Sequence, residues 1–181
     1  MNEGKSNADP SGQQMSGLAA QIRDHLEGAN ELYNRLILVV GEAGAGKTTA
    51  LYQLSKEMSL PYLNVNMLLS QRLLEYTSKA RPLRLLKLLD YILESAGTNT
   101  VLVDNTEILF DSKLKQDPLR CLEAVSRNRT VVATWNGRID AKALVYAEPG
   151  HPEYRQYPEI SGLVIDVAAK GKPIEASGEQ R

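Results

Sequence analysis

Short apolar runs of four to six residues recur along the chain, and between them the apolar positions step by three and four. Runs of that length rich in β-branched residues predict buried strands, and the three-and-four step predicts amphipathic helices. Strands are expected at residues 36–40, 62–65, 100–104 and 130–135, with shorter candidates at 143–146 and 163–167. A first helix covers 17–33, with Leu18, Ile22, Leu26, Ala29 and Tyr33 facing inward. A second follows the first strand, with Ala50, Leu51, Leu54 and Met58 along one face. Residues 67–76 form a third, with Leu68, Leu69, Leu73 and Tyr76 inward. Pro82 opens a fourth that runs to 95 and stops before Gly97, because proline suits a first helical position and glycine a terminus. Its buried stripe is Leu85, Leu86, Leu89, Ile92 and Leu93, leaving Arg81, Arg84 and Lys87 on a solvated face. Ile108, Leu109 and Phe110 lie in a loop or short helix, and a helix at 118–126 turns Cys121, Leu122 and Val125 inward. The proline-punctuated stretch 148–158, with His151, Tyr154, Arg155 and Tyr157, reads as a loop. Residues 1–16, rich in Gly, Ser, Asn and Gln, are expected to be disordered, 17–167 to form one domain, and 168–181 to be a flexible tail.

Between the first strand and the second helix stands Gly41-Glu42-Ala43-Gly44-Ala45-Gly46-Lys47-Thr48. Strand, glycine loop and helix in that order make G-x-x-x-x-G-K-[ST] a phosphate site. Glycines allow torsions and close approach that a Cβ would block. The amides from Gly44 to Thr48 then point at an anion at the positive end of the helix. Lys47 reaches the β- and γ-phosphates, the Thr48 hydroxyl holds Mg²⁺, and Thr49 is placed for the α-phosphate. The chain is therefore expected to bind ATP with Mg²⁺.

A Mg²⁺-nucleotide site needs a carboxylate at the end of a neighbouring strand. Val101-Leu102-Val103-Asp104 supplies it, and no other strand candidate between residues 60 and 140 ends in an acid. A strand candidate separates the glycine loop from Asp104 and another follows it. That succession resembles the additional-strand class of P-loop NTPases. It implies an α/β, three-layer P-loop NTPase fold with a mainly parallel sheet (ASCE-like), whose inserted strand ends in a polar sensor. Thr134 and Asn136 are the matching positions. Members of this class usually carry Glu directly after the strand-end Asp, where this chain has Asn105. An amide hydrogen-bonds a water but cannot take its proton. Glu107 is the next carboxylate, and reaches the site if 105–107 begin a helical turn. Arg127, Arg129, Arg138 and Arg155 are candidates to meet charge on the γ-phosphate from a neighbouring subunit.

The bulk numbers narrow the setting. At 181 residues, 43% hydrophobic and 24% charged, the chain suits one soluble domain. A net charge of −1 gives no global support for DNA or anionic-membrane binding, though a local basic patch stays open. The single Cys121 rules out an internal disulfide and points to a reducing cytoplasm. No apolar run approaches the roughly 18 residues of a membrane span, and the amino terminus lacks a signal-peptide core. His25 has no second histidine or cysteine nearby, which favours a solvated or capping role over a metal ligand.

The leading helix, GEAGAGKTT, VLVDNTEILF, RNRTVVATWNG and YAEPGHPEYRQY together resemble the BrxF family, the small P-loop protein of type III BREX (bacteriophage exclusion) systems. The resemblance covers roughly residues 17–167. It implies a cytoplasmic anti-phage component working beside a larger ATPase, a DNA methyltransferase and a phosphatase-like protein. The expected function is a slow ATPase, or an ATP-dependent switch, that assembles as a homo-oligomer in its ATP state. Two other readings stay open: a nucleotide-binding scaffold with negligible turnover, and a small-molecule or nucleoside kinase.

Overall fold

Alternation of side chains along each strand sorts the apolar runs into two cores, one on each face of a central sheet. The computed structural model describes residues 10–169 and 174–175. In chain order the elements are α1 (Pro10–Ala29), β1 (Leu36–Gly41), α2 (Lys47–Met58), β2 (Tyr62–Asn64), α3 (Val65–Leu73), α4 (Arg81–Glu94) and β3 (Thr100–Asp104). After 3-10 turns at Thr106–Phe110 and Ser112–Leu114 come α5 (Pro118–Val125), β4 (Thr130–Asn136), β5 (Arg138–Asp140), β6 (Ala143–Tyr146), β7 (Arg155–Tyr157), β8 (Leu163–Asp166) and β9 (Ile174–Glu175).

The main sheet has the order β2-β3-β4-β1-β8-β9, parallel throughout except for the β8–β9 pair. Strand β4 lies between β1 and β3, so the glycine-loop strand and the Asp104 strand are separated by one inserted strand. This is the three-layer α/β P-loop NTPase fold of the additional-strand class. Leu36, Leu38 and Val40 join Val101, Val103, Val131, Ala133 and Trp135 in a core covered by α3, α4 and α5. Ile37, Val39, Leu102 and Val132 face the other way, under α1 and α2. By the same period of two, Asp104, Thr134 and Asn136 share the α2 face, which carries the glycine loop's lysine.

Several boundaries differ from expectation. Helix α1 starts at Pro10, inside the stretch expected to be disordered, because proline is tolerated where a helix begins and nothing in 11–16 forces a break. Residues 1–9 lie outside the described residues. α1 also ends at Ala29, where tightening turns around Asn30 and Leu32 lead the chain away and leave Tyr33 76% exposed. Helix α3 begins at Val65 because the Asn64 side chain accepts from the Met67 amide at 3.0 Å, an N-cap that shortens β2 to three residues. Leu86 is 40% exposed, at the margin of the α4 stripe rather than within it. Arg81 is not solvated: its Nε donates to the Leu73 and Tyr76 carbonyls at 2.9 and 3.1 Å, closing the end of α3. In the tail, β9 pairs with β8, whose outer edge offers unpaired backbone groups. The other positions from 170 onward lie outside the described residues.

The stretch after Asn136 departs furthest from the sequence reading. β5, β6 and β7 form a separate antiparallel sheet inserted between β4 and β8. The expected loop therefore ends in a strand, and residues 143–146 belong to the second sheet. An aromatic cluster joins the sheets: Tyr146 stacks on Phe110 with centroids 3.5 Å apart, and Trp135 meets Phe110 and Tyr157 edge-on. No helix among the described residues is long and apolar enough to cross a membrane.

Candidate functional site

Strands β1, β3 and β4 deliver the glycine loop, Asp104 and Asn136 to the same end of the sheet, the carboxyl edge where open α/β sheets place ligands. Gly44 and Gly46 take left-handed φ values of 81° and 85°, which L side chains resist. A Cβ at Gly41 would come within 3.2 Å of the Ala45 and Val167 Cβ atoms, so the loop closes tightly over its own start. Helix α2 begins at Lys47, leaving its first amides for a ligand. The Lys47 Nζ donates to the Gly41 and Glu42 carbonyls, both at 2.6 Å, and the side chain is buried. Burial lowers its pKa, while the charges of Asp104 and Glu107 pull the other way.

The Asp104 carboxylate is held from several sides. Its Oδ1 accepts from the Thr134 hydroxyl at 2.7 Å and from the Asn105 amide at 2.9 Å, and its Oδ2 accepts from the Tyr62 hydroxyl at 2.6 Å. Burial acts to raise its pKa, but the hydrogen bonds from Tyr62, Thr134, Thr48 and the Asn105 amide outweigh it and keep the carboxyl below its usual range. Tyr62 moves the opposite way: burial, then the bond to Asp104, push its phenol well above the ordinary value. At neutral pH Tyr62 is therefore a donor and Asp104 an acceptor.

The structure separates the two sensor candidates. Thr134 is buried and spends its hydroxyl on Asp104, whereas Asn136 borders the cavity. Asn105 adopts a left-handed turn at φ 55°, a conformation asparagine accepts more readily than most residues. Its carbonyl accepts from the Asn66 amide at 3.0 Å. That turn starts the 3-10 segment and carries Glu107 back toward the loop, where the Asn136 Nδ2 donates to Glu107 Oε1. The Thr106 hydroxyl fixes the same segment to the Thr134 carbonyl at 2.8 Å.

The result is a cavity of about 280 Å³ lined by residues 43–49, Asp104, Asn105, Glu107 and Asn136. Of the expected loop residues, Gly41 is buried outside that lining and Glu42 lines an adjoining cavity of about 400 Å³. The second cavity shares Ala43 and Asn136 with the first and adds Arg138, Tyr146, Glu148, His151 and Glu153. Arg138 is the one arginine candidate at its wall, paired with Glu148 at 2.7 Å. Arg155 donates to the Tyr154 carbonyl, Arg129 pairs with Asp90, and Arg127 lies over the Tyr33 ring. His25 Nδ1 sits 2.6 Å from the Gln21 carbonyl oxygen, away from the cavity.

The donor set fits Mg²⁺ and a polyphosphate. Thr48 and Asp104 offer hard oxygen ligands, and no group of three or more His, Cys, Asp or Glu that could hold a metal occurs among the described residues. Mg²⁺ suits that arrangement, because it is usually held by one or two protein oxygens together with phosphates and water. The amides of the glycine loop, opened by two left-handed glycines, form the cradle that a phosphate needs.

No protein-family model matches the chain, and no curated protein matches it. Among solved structures the chain is similar to that of C. elegans PCH-2, with 20% identity and a TM-score of 0.41 over 93% of this chain and 45% of that one. The chain thus spans less than half the length of that relative.

Proposed function

We propose that the protein binds Mg·ATP and acts as a slow ATPase or ATP-dependent switch in a bacterial anti-phage assembly of the BREX type. One observation carries the nucleotide reading: Lys47, Thr48, Asp104, Glu107 and Asn136 converge from separate elements on one cavity beside a left-handed glycine loop. In this reading the loop amides and Lys47 hold the triphosphate. Thr48 and Asp104 would hold Mg²⁺, which would supply charge neutralisation to the triphosphate. Asn136 contacts the γ-phosphate or the attacking water. Glu107 accepts that water's proton as its oxygen attacks the γ-phosphorus and the bond to the β-bridging oxygen breaks, leaving ADP and phosphate.

The slow rate follows from two residues. Asn105 orients a water but leaves it protonated, and Glu107 is already engaged by the Asn136 amide. The same two residues favour, as the second reading, a scaffold that holds ATP with negligible turnover. A kinase is a poorer fit, since β3 is not next to β1 and no helix follows β8 among the described residues to serve as a lid. The BREX setting, and contacts with a larger ATPase, a methyltransferase and a phosphatase-like protein, rest on the sequence resemblance.

Calorimetry with Mg·ATP tests the reading. Lys47→Ala removes the one fixed cation of the loop, a charge-assisted contact worth roughly 1.5–3 kcal/mol, so affinity should fall more than about tenfold. Unchanged affinity would overturn nucleotide binding at this site. ATP hydrolysis measured with and without DNA then separates switch from scaffold.

A further inference from the structure

Tyr62 is a residue that the glycine-loop pattern does not call for. It stands on β2, the edge strand, opposite Leu102 of β3, while Asn64 stands opposite Asp104. Its ring runs along the sheet toward the carboxyl end, and its hydroxyl reaches Asp104 Oδ2 at 2.6 Å. The ring is braced edge-on by Tyr52 of α2, with centroids 6.1 Å apart and planes at 87°. That is the helix that carries Lys47 and Thr48. Tyr62 therefore ties the metal-holding carboxylate to the helix of the glycine loop, from the side away from the inserted strand.

An ionised carboxylate offers about four lone-pair directions on its two oxygens. Thr134 and the Asn105 amide take two on Oδ1, and Tyr62 takes one on Oδ2. The remaining direction lies on Oδ2, and Thr48 lines the same cavity as Asp104. With Tyr62 in place both carboxylate oxygens are held, and one acceptor direction is left for the metal expected between Asp104 and Thr48. A phenylalanine would pack against Tyr52 equally well, but would free Oδ2 to turn.

Building on the Mg·ATP reading above, we propose that Tyr62 is a positioning residue for the metal site: its hydroxyl fixes the Asp104 carboxylate and thereby sets the Mg²⁺ requirement for ATP binding. Partners of this kind act through orientation, and their loss typically costs about 10–100-fold in metal affinity.

The test is a Mg²⁺ titration of ATP binding, read with a fluorescent ATP analogue and repeated in EDTA, on the wild-type chain, Tyr62→Phe and Tyr62→Met. Both variants lose the donor but differ in shape. Each should raise the Mg²⁺ concentration for half-maximal enhancement of binding by about tenfold, with affinity in EDTA unchanged. A Mg²⁺ requirement that stays at the wild-type value or falls in Tyr62→Phe overturns the proposal. So does an equal loss of affinity with and without Mg²⁺ that tracks a lower melting temperature, which is the signature of packing alone. A shift in Tyr62→Met but not in Tyr62→Phe points to shape and likewise overturns it. If the wild-type chain binds no ATP in either condition, nucleotide binding fails and the role of Tyr62 fails with it. Mg²⁺-dependent binding identical in all three proteins defeats Tyr62 alone.

Discussion

On the proposed reading, Glu107 and Asn105 divide between them the work that one glutamate does in enzymes resembling this class. Asn105 occupies the position after Asp104, but its left-handed backbone suits asparagine and disfavours a longer side chain. Glu107 arrives two residues later, through the turn that Asn105 makes, and meets Asn136. On the proposed reading Glu107→Gln should abolish steady-state ATP hydrolysis while leaving ATP affinity within about twofold, because the amide cannot take a proton. Asn105→Glu is the companion experiment. It places a carboxylate at the usual position but in a conformation costing about 1–2 kcal/mol, so any gain in rate should come with a lower melting temperature. A basal rate that survives loss of Glu107 would require another base.

At the level of elements, the junction between β4 and the second sheet supports the site. Asn136 ends β4, Gly137 follows, and β6 passes directly over that glycine. A Cβ at Gly137 would meet the Val145 carbonyl oxygen at 2.0 Å, a backbone atom that cannot swing aside. The Trp135 Nε1 donates to the same carbonyl at 3.3 Å. Gly137→Ala therefore forces β6 off β4 and disturbs the Phe110, Trp135 and Tyr146 packing behind Glu107 and Asn136. Overpacking of this kind costs roughly 1–3 kcal/mol, occasionally more. Urea unfolding followed by Trp135, the single tryptophan, should show the loss as a lower midpoint. A wild-type midpoint would mean that β6 does not cross there.

Considered as a whole molecule, the site is open. The cavity beside the glycine loop shares Ala43 and Asn136 with the second cavity, and Arg138 stands at the wall of the second with its side chain 40% exposed. A second subunit docking there would cover the γ-phosphate end and bring its own Arg138 or Arg155 within reach. If the homo-oligomer expected from the sequence forms, light scattering should record a higher mass with saturating ATP than without it. Arg138→Ala and Arg155→Ala should be assayed separately, and loss of hydrolysis with unchanged ATP affinity in one of them identifies the contributing arginine. A strict monomer at high protein concentration with ATP would exclude this arrangement.

By itself the sequence determined the parts that are local. Gly41 to Thr48 are contiguous, so the loop, its helix and the lysine can be read from spacing alone. Asp104 closes an apolar run, and the order of strand candidates matches the additional-strand sheet. Helix periodicity also marked most of the buried helix faces, because burial on one face leaves a repeating mark along the chain. What tertiary structure alone decided are contacts across strands. Tyr62 meets Asp104 over 42 residues, Thr134 meets Asp104 over 30, and Asn136 meets Glu107 over 29. Those pairs depend on which strands are neighbours and on which face each side chain takes, and no local spacing encodes either. The second sheet was hidden for a related reason. Arg155-Gln156-Tyr157 is short and polar, and it is a strand because the backbone of β6 offers it a partner.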